Sequence, residues 1–135
     1  MTTLIDTSLW IDFTRARSPQ SLKQFIVPYI LHPGAHVAEP VSFEILRHAT
    51  PKESRQLIQQ FETFPVLATP TGLWTRATEL GQACRHKGYT VGALDLLIAS
   101  VALFHQALII SFDEDFYKIA RVFPNLQVKL LRRPN

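Results

Sequence analysis

Short apolar runs of strand length alternate along this chain with longer stretches in which apolar residues recur at helical spacing. Thr2 to Ile5 is one such run. Asp6-Thr7-Ser8 follows it, and then Leu9, Trp10, Ile11 and Phe13, which predicts a strand, a cap from Thr7 or Ser8, and a helix. Ser18-Pro19 marks the next start, with serine as the cap and proline as the first helical residue. A helix over Gln20–Leu31 would carry Leu22, Phe25, Ile26, Tyr29 and Ile30 on one face, kinked at Pro28. His36–Glu39 reads as a second strand, and Pro40 opens a helix containing Phe43, Glu44, Ile45 and Leu46. Thr50-Pro51-Lys52-Glu53 has the sequence of a capping box and predicts a helix to about Glu62. Phe64–Ala68 is a third strand. Thr69-Pro70 begins a helix that reaches about Lys87, with Leu73, Trp74, Ala77, Leu80, Gly81 and Cys84 along one side, before Gly88 stops it.

The next stretch breaks the pattern. Val91 to Phe104 is apolar except at Gly92, Asp95 and Ser100. A helix apolar on nearly all sides is expected to be buried on nearly all sides. Fourteen residues make roughly 21 Å of helix, too short to span a bilayer. Asp95 is therefore the oddity, because an unpaired buried carboxylate is very costly. A strand over Ala107–Ser111, a short helix over Glu114–Arg121, a last strand over Gln127–Leu131 and a basic tail complete the chain. Strands separated by helices predict an α/β fold in three layers, a central and mainly parallel sheet flanked by helices. No internal repeat or low-complexity tract divides the chain, so residues 1–135 read as a single domain.

Composition adds bounds rather than detail. With 135 residues, 47% of them apolar, the chain can bury one substantial core. A lone cysteine, Cys84, asks for no oxidising compartment. The segment after Met1 lacks the basic and long apolar regions of a signal peptide, so the cytoplasm is the expected location and no membrane association is implied. A net charge of +3 permits a polyanionic partner without demanding one.

Only eleven acidic residues need sorting. Glu53, Glu62 and Glu79 fall on solvated helix faces. Asp12 falls near the end of the first helix and is expected to be exposed. Glu39 reads as a loop carboxylate and a fallback ligand, and Glu114 as the partner of Ser111 in a capping box. Asp6, Glu44, Asp95, Asp113 and Asp115 remain. Each lies at a strand end, or within about a turn of a helix start, on the same expected edge of the sheet, where open parallel sheets place their ligands. Carboxylates that converge repel one another unless a cation joins them. An all-oxygen set selects a hard ion, Mg²⁺ or Mn²⁺, and suits hydrolysis at phosphorus. The competing reading is structural: Asp6 caps the first helix, Asp113 caps a turn and Asp95 pairs with an arginine.

Four segments carry a resemblance: Ile5-Asp6-Thr7-Ser8 with Trp10-Ile11-Asp12; Glu44-Ile45-Leu46; Asp95-Leu96-Leu97-Ile98-Ala99; and Ser111-Phe112-Asp113-Glu114-Asp115-Phe116. In order and spacing they resemble the signature blocks of PIN-domain ribonucleases, and more closely the VapC toxins of VapBC toxin–antitoxin pairs, over essentially the whole chain. The resemblance implies a PIN-like fold and an endoribonuclease that uses Mg²⁺ or Mn²⁺, commonly against tRNA or rRNA. It implies that Asp6, Glu44, Asp95 and Asp113 are the catalytic metal-binding acids, with Asp115 an alternate or supporting ligand and Thr7 or Ser8 orienting the site. The last block matches T-x-D-x-D-F with serine in place of threonine, which retains the hydroxyl. It also implies a homodimer and a cognate VapB-type antitoxin that crosses the active-site groove.

Arg85, His86, Lys87, Lys118, Arg121, Arg132 and Arg133 are candidates to contact phosphates, against an ordinary role in surface solubility. His48 and His105 read as helix-end residues, and Trp10 and Trp74 as core or dimer-interface residues. Two alternatives stand beside the nuclease. A non-catalytic PIN-like RNA- or protein-binding module would tolerate asparagine or alanine in place of one of the block acids, and the acids of all four blocks are intact. Another acidic-site phosphoesterase fits less well. A haloacid-dehalogenase-type phosphatase needs a second aspartate where Ser8 stands, and a flap nuclease needs helical segments for which this chain has no room.

Overall fold

The computed structural model describes residues 1–134. Its strands are β1 (Thr3–Ile5), β2 (Ala35–Ala38), β3 (Val66–Leu67), β4 (Leu108–Ser111) and β5 (Gln127–Leu130). Between them run α1 (Thr7–Thr14), α2 (Gln20–Ile30), α3 (Glu39–Leu46), α4 (Pro51–Phe61), α5 (Leu73–His86), α6 (Ala93–His105) and α7 (Asp115–Val122). The strands form one sheet in the order β3-β2-β1-β4-β5, every neighbouring pair parallel. The inner strands β1, β2 and β4, covered by helices on both faces, are largely buried and read as short, mainly apolar runs, whereas the edge strands β3 and β5 are partly exposed. The expected α/β arrangement is the one observed.

That order positions the site. The chain leaves β1 for β2 on one side and later returns to β4 on the other. At such a switch point the connections diverge and open a crevice beyond the carboxyl ends of the strands. Asp6 follows β1 directly, and Asp113 lies two residues beyond β4. The register keeps the two strand ends level, with Ile5 opposite Ile110, and Asp6 N donates to Ile110 O at 3.0 Å.

Several elements differ from the pattern reading. Asp6, rather than Thr7 or Ser8, caps α1, its side chain accepting from Ser8 N. Pro19 itself occupies the cap position of α2 and makes no side-chain cap. α5 begins at Leu73 because Gly72, with φ of 82°, turns the chain after Thr69-Pro70 in a left-handed conformation open to glycine. The capping box at Thr50 and Glu53 forms as expected.

The core gathers Leu4, Ile5, Leu9, Trp10, Ile98, Ile109, Phe116 and Ile119, all fully or almost fully buried. Trp10 meets the rings of Phe61 and Phe64 edge-on, each at a centroid distance of 5.1 Å. Trp74 lies outside it, 72% exposed. α5 packs against α6 at Gly81, where a Cβ would come 3.0 Å from Leu96 Cδ1. Burial of α6 is less complete than its composition suggests. Ile98 to Ala102 are buried, whereas Leu94, Leu96 and Leu97 are half-buried and Phe104 is exposed. No helix among the described residues is long and apolar enough to cross a membrane.

Candidate active site

Three helices start at the crevice. Asp6 is the cap of α1, Asp95 the third residue of α6 and Asp115 the first of α7. The partial positive charge at a helix N-terminus favours a carboxylate in each position and offsets part of their mutual repulsion. Glu44 comes from the second turn of α3 and is half-buried.

Asp95, Asp113 and Asp115 each offer an oxygen within 4.8 Å of the others. Asp6 and Glu44 stand outside this tight set, yet near enough to act on it. Burial raises the Asp95 carboxyl most, followed by the charges of Asp113, Asp6, Asp115 and Glu44, and together they push it up to about 8. All five acids singled out in the sequence therefore act electrostatically at one place. Asp95 has no ion pair among the described residues. Asp115 has one, its Oδ1 lying 3.0 Å from Lys118 Nζ, and this contact raises the Lys118 ammonium above its ordinary value.

Asp6 is held differently. Its carboxylate is buried, which raises its pKa, while hydrogen bonds from Ser111, Ser8 and the backbone oppose that shift. Ser8 Oγ donates to Asp6 Oδ2 at 2.8 Å and Ser111 Oγ to the same oxygen at 2.7 Å. The hydroxyls accept in turn from the backbone. Phe112 N reaches Ser8 Oγ at 3.1 Å, and Asp113 N reaches Ser111 Oγ at 2.8 Å. Asp115 N donates to Asp113 Oδ1 at 2.9 Å, which folds the turn so that both carboxylates face Asp95.

The structural alternative is met in two of its three parts. Asp6 does cap a helix and Asp113 does cap a turn, but among the described residues no arginine pairs with Asp95. The expected box between Glu114 and Ser111 does not form: Ser111 spends its hydroxyl on Asp6, and Glu114 is exposed. Sequence reasoning missed this role of Ser111, although a hydroxyl residue at a strand end, two positions before an aspartate, is a readable signal. Asp12 is also corrected. It is buried, and Arg133 Nε donates to its Oδ2 at 2.7 Å. Glu39 is exposed and accepts a hydrogen bond from Thr69 Oγ1. His105 closes α6 with Nε2 2.7 Å from Ala68 O.

A groove of about 390 Å³ lies beside the carboxylates rather than among them, lined by Pro40, Phe43, Leu73, Trp74, Leu94 and Leu97. Leu94 precedes Asp95 and Phe43 precedes Glu44, so the groove shares a border with the acids.

The donor set fits a hard divalent ion. Oxygens on opposite sides of Mg²⁺ stand roughly 4.2 Å apart, about twice the metal–oxygen distance. Carboxylates within 4.8 Å of one another need little adjustment to reach that span. The donors are all oxygen, the ligand type that excludes soft-metal preference, and the half-buried Asp95 has no compensating cation among the described residues.

The sequence model of the PIN domain matches residues 3–122. The chain belongs to the PIN-domain family. Within it, this PIN domain is 34% identical to VapC ribonuclease Mb1587 of Mycobacterium bovis, over 96% of the chain and 98% of the relative. Identity and coverage are the same for Ribonuclease VapC11 of Mycobacterium tuberculosis. Among solved structures, VapBC2 of Rickettsia felis bound to a promoter DNA fragment aligns with a TM-score of 0.72 at 17% identity, covering 98% of this PIN domain and all of that chain. That likeness speaks to fold, and the parallel sheet with its flanking helices agrees with it.

Proposed function

We propose that this PIN domain is the toxin of a type II toxin–antitoxin pair, a metal-dependent endoribonuclease that hydrolyses phosphodiester bonds in RNA, with tRNA or rRNA as the class of target. The observation that carries the reading is the meeting of Asp95 with Asp113 and Asp115, beside Asp6 and Glu44, with no cation paired to Asp95 among the described residues. Identity of 34% to two VapC ribonucleases over nearly full length supports it.

In this reading Asp6, Glu44, Asp95 and Asp113 are the catalytic acids and hold Mg²⁺ or Mn²⁺, with Asp115 as a further ligand. When bound, the ion supplies Lewis-acid polarisation of a phosphate oxygen and makes water a stronger nucleophile near neutral pH. The protein's own residues prepare the site. Ser8 and Ser111 saturate Asp6 Oδ2 with hydrogen bonds, leaving Oδ1 for other partners. The Asp113–Asp115 turn presents two carboxylates together. Lys118, paired with Asp115, and Arg85, Lys87, Arg121 and Arg132 are the cationic candidates to meet RNA phosphates, with His86 as a further polar contact. The cognate partner in this account is a VapB-type antitoxin, as in the VapBC pair of the Rickettsia felis structure. Exposed Phe43 and Trp74 suit a homodimer. The activity belongs to the cytoplasm, and residues 1–135 act as one domain.

Expression of the wild-type chain should arrest growth, and purified protein should cut RNA only when Mg²⁺ or Mn²⁺ is supplied. Asp95→Asn or Asp6→Ala should relieve the arrest while the protein accumulates in folded form. Equal toxicity from folded Asp95→Asn would refute metal-dependent catalysis at this site.

A further inference from the structure

The last strand and the tail lie beyond residues 3–122, the part matched to the PIN domain, yet they reach back to the acid site. Asp12 on α1 is buried and accepts from Arg133 Nε at 2.7 Å, a contact between residues 121 positions apart. The Arg133 guanidinium also lies over the Phe112 ring, 4.4 Å from its centroid, and Phe112 stacks in turn on Phe25. Just before it, Leu131 N donates to Ser111 O at 2.7 Å.

Phe112 sits between the two residues that matter most in this turn. Ser111 holds Asp6, and Asp113 belongs to the close set of three carboxylates. The Phe112 N–H is tied to Ser8 Oγ and its ring is covered by Arg133, which Asp12 holds. Ser8 and Asp12 are four residues apart on α1, hence one above the other on the same face. A single helix face therefore grips Phe112 twice, directly through Ser8 and indirectly through Arg133.

We infer that the Asp12–Arg133 pair is a latch that fixes the Ser111–Asp113 turn, making Arg133 a positioning residue for the acid site rather than a contact for phosphate. Arginine suits the task because one planar group can donate to a carboxylate and lie flat on an aromatic face. Its aspartate partner is buried, so breaking the pair strands a carboxylate as well as uncovering Phe112. Contacts behind a metal ligand set its orientation and hence its affinity. The metal consequence rests on the function proposed above. The latch itself rests on geometry alone.

The test compares the full-length wild type with Arg133→Gln and Arg133→Lys, measuring amide hydrogen exchange in the metal-free protein and Mn²⁺ affinity by calorimetry. In Arg133→Gln, exchange at Phe112 and Asp113 should rise about tenfold while amides in α5 stay within roughly twofold of wild type, the pattern of a local opening. Mn²⁺ binding should weaken about tenfold, the lower end of what loss of a ligand-orienting contact costs. Arg133→Lys keeps the charge without the flat fork, so it should restore the partner of Asp12 but only part of the protection at Phe112. Asp12→Asn probes the latch from its other end, with the same rise at Phe112 expected. Unchanged exchange at Phe112 and Asp113 in Arg133→Gln, or an equal rise in every element, overturns the latch. A wild type that binds no Mn²⁺ removes the metal reading, and the exchange pattern still decides the latch.

Discussion

Ser111 Oγ donates to Asp6 Oδ2 at 2.7 Å, across 105 residues of chain. Ser8 gives the same oxygen a second hydrogen bond, and each hydroxyl also accepts from a backbone N–H of the turn after β4. The orientation of the buried Asp6 is thereby locked to the turn that carries Asp113. Removing Ser111 Oγ leaves Asp6 short of a donor and the Asp113 N–H without its acceptor.

Ser111→Ala should accordingly cost about 1–3 kcal/mol, the penalty for stranding buried polar groups. Ser111→Thr, which keeps the hydroxyl, should recover most of that loss. Urea unfolding of the three proteins checks both statements, and Ser111→Ala as stable as wild type would contradict them.

Asp95 makes stability depend on pH in a stated direction. Its carboxyl stands at about 8 in the metal-free fold against an ordinary value of 3.8. Below about pH 4 the folded and unfolded chains both keep the proton. As pH rises toward 8 the unfolded chain gives it up first, so the metal-free protein loses stability across that window. Asp6, raised by burial, contributes in the same sense. Asp95→Asn removes the contribution of Asp95 to this dependence. At pH 8, without metal, it should melt about 5 °C above wild type, the effect of roughly 1–2 kcal/mol once screening by solvent at this half-buried group is allowed for. Melting curves from pH 4 to 8 in chelator would show the two proteins diverging as pH rises.

Adding the ion should reverse the trend. A ligand that binds only the folded chain stabilises it by about 2.7 kcal/mol at 100 times its dissociation constant. Protons and metal compete for Asp95, so the gain should grow between pH 6 and pH 8, as expected roughly for any carboxylate ligand with a raised pKa. Differential scanning calorimetry with Mg²⁺ or Mn²⁺ measures this directly. Asp95→Asn should show little gain from either ion.

The two tryptophans should behave in opposite ways. Trp10 is fully buried between Phe61 and Phe64, so Trp10→Ala should cost about 3–5 kcal/mol, the usual range for emptying a large aromatic site. Trp74→Ala, at an exposed position, should change the stability of the isolated chain by less than about 0.5 kcal/mol. Denaturant melts of both variants separate them.

Much of this architecture was legible in the chain because parallel strands covered on both faces announce themselves as apolar runs. The helix starts were marked by proline and capping residues, most accurately at Thr50-Pro51-Lys52-Glu53. Among the acids, Asp95 stood out because its helical neighbours are apolar, and in the fold burial and the like charges around it raise its carboxyl. What could not be read was pairing over long separations. Asp12 is buried only because Arg133, 121 residues away, compensates it. Ser111 turns from a local cap into a partner of Asp6 only once β1 and β4 lie side by side. Trp74 fits the apolar spacing of α5, but period alone does not say whether a face has a neighbour to cover it.

The central claim is that Asp95, Asp113 and Asp115, with Asp6 and Glu44 beside them, grip one hard divalent ion. Anomalous scattering from crystals grown with Mn²⁺ tests it most directly. The account predicts a strong manganese peak within about 2.0–2.4 Å of an Asp95 oxygen and of at least one oxygen from the Asp113–Asp115 turn, as for hard cations on carboxylates generally. Saturating Mn²⁺ with no peak between these side chains, or a peak that ignores Asp95, would contradict it.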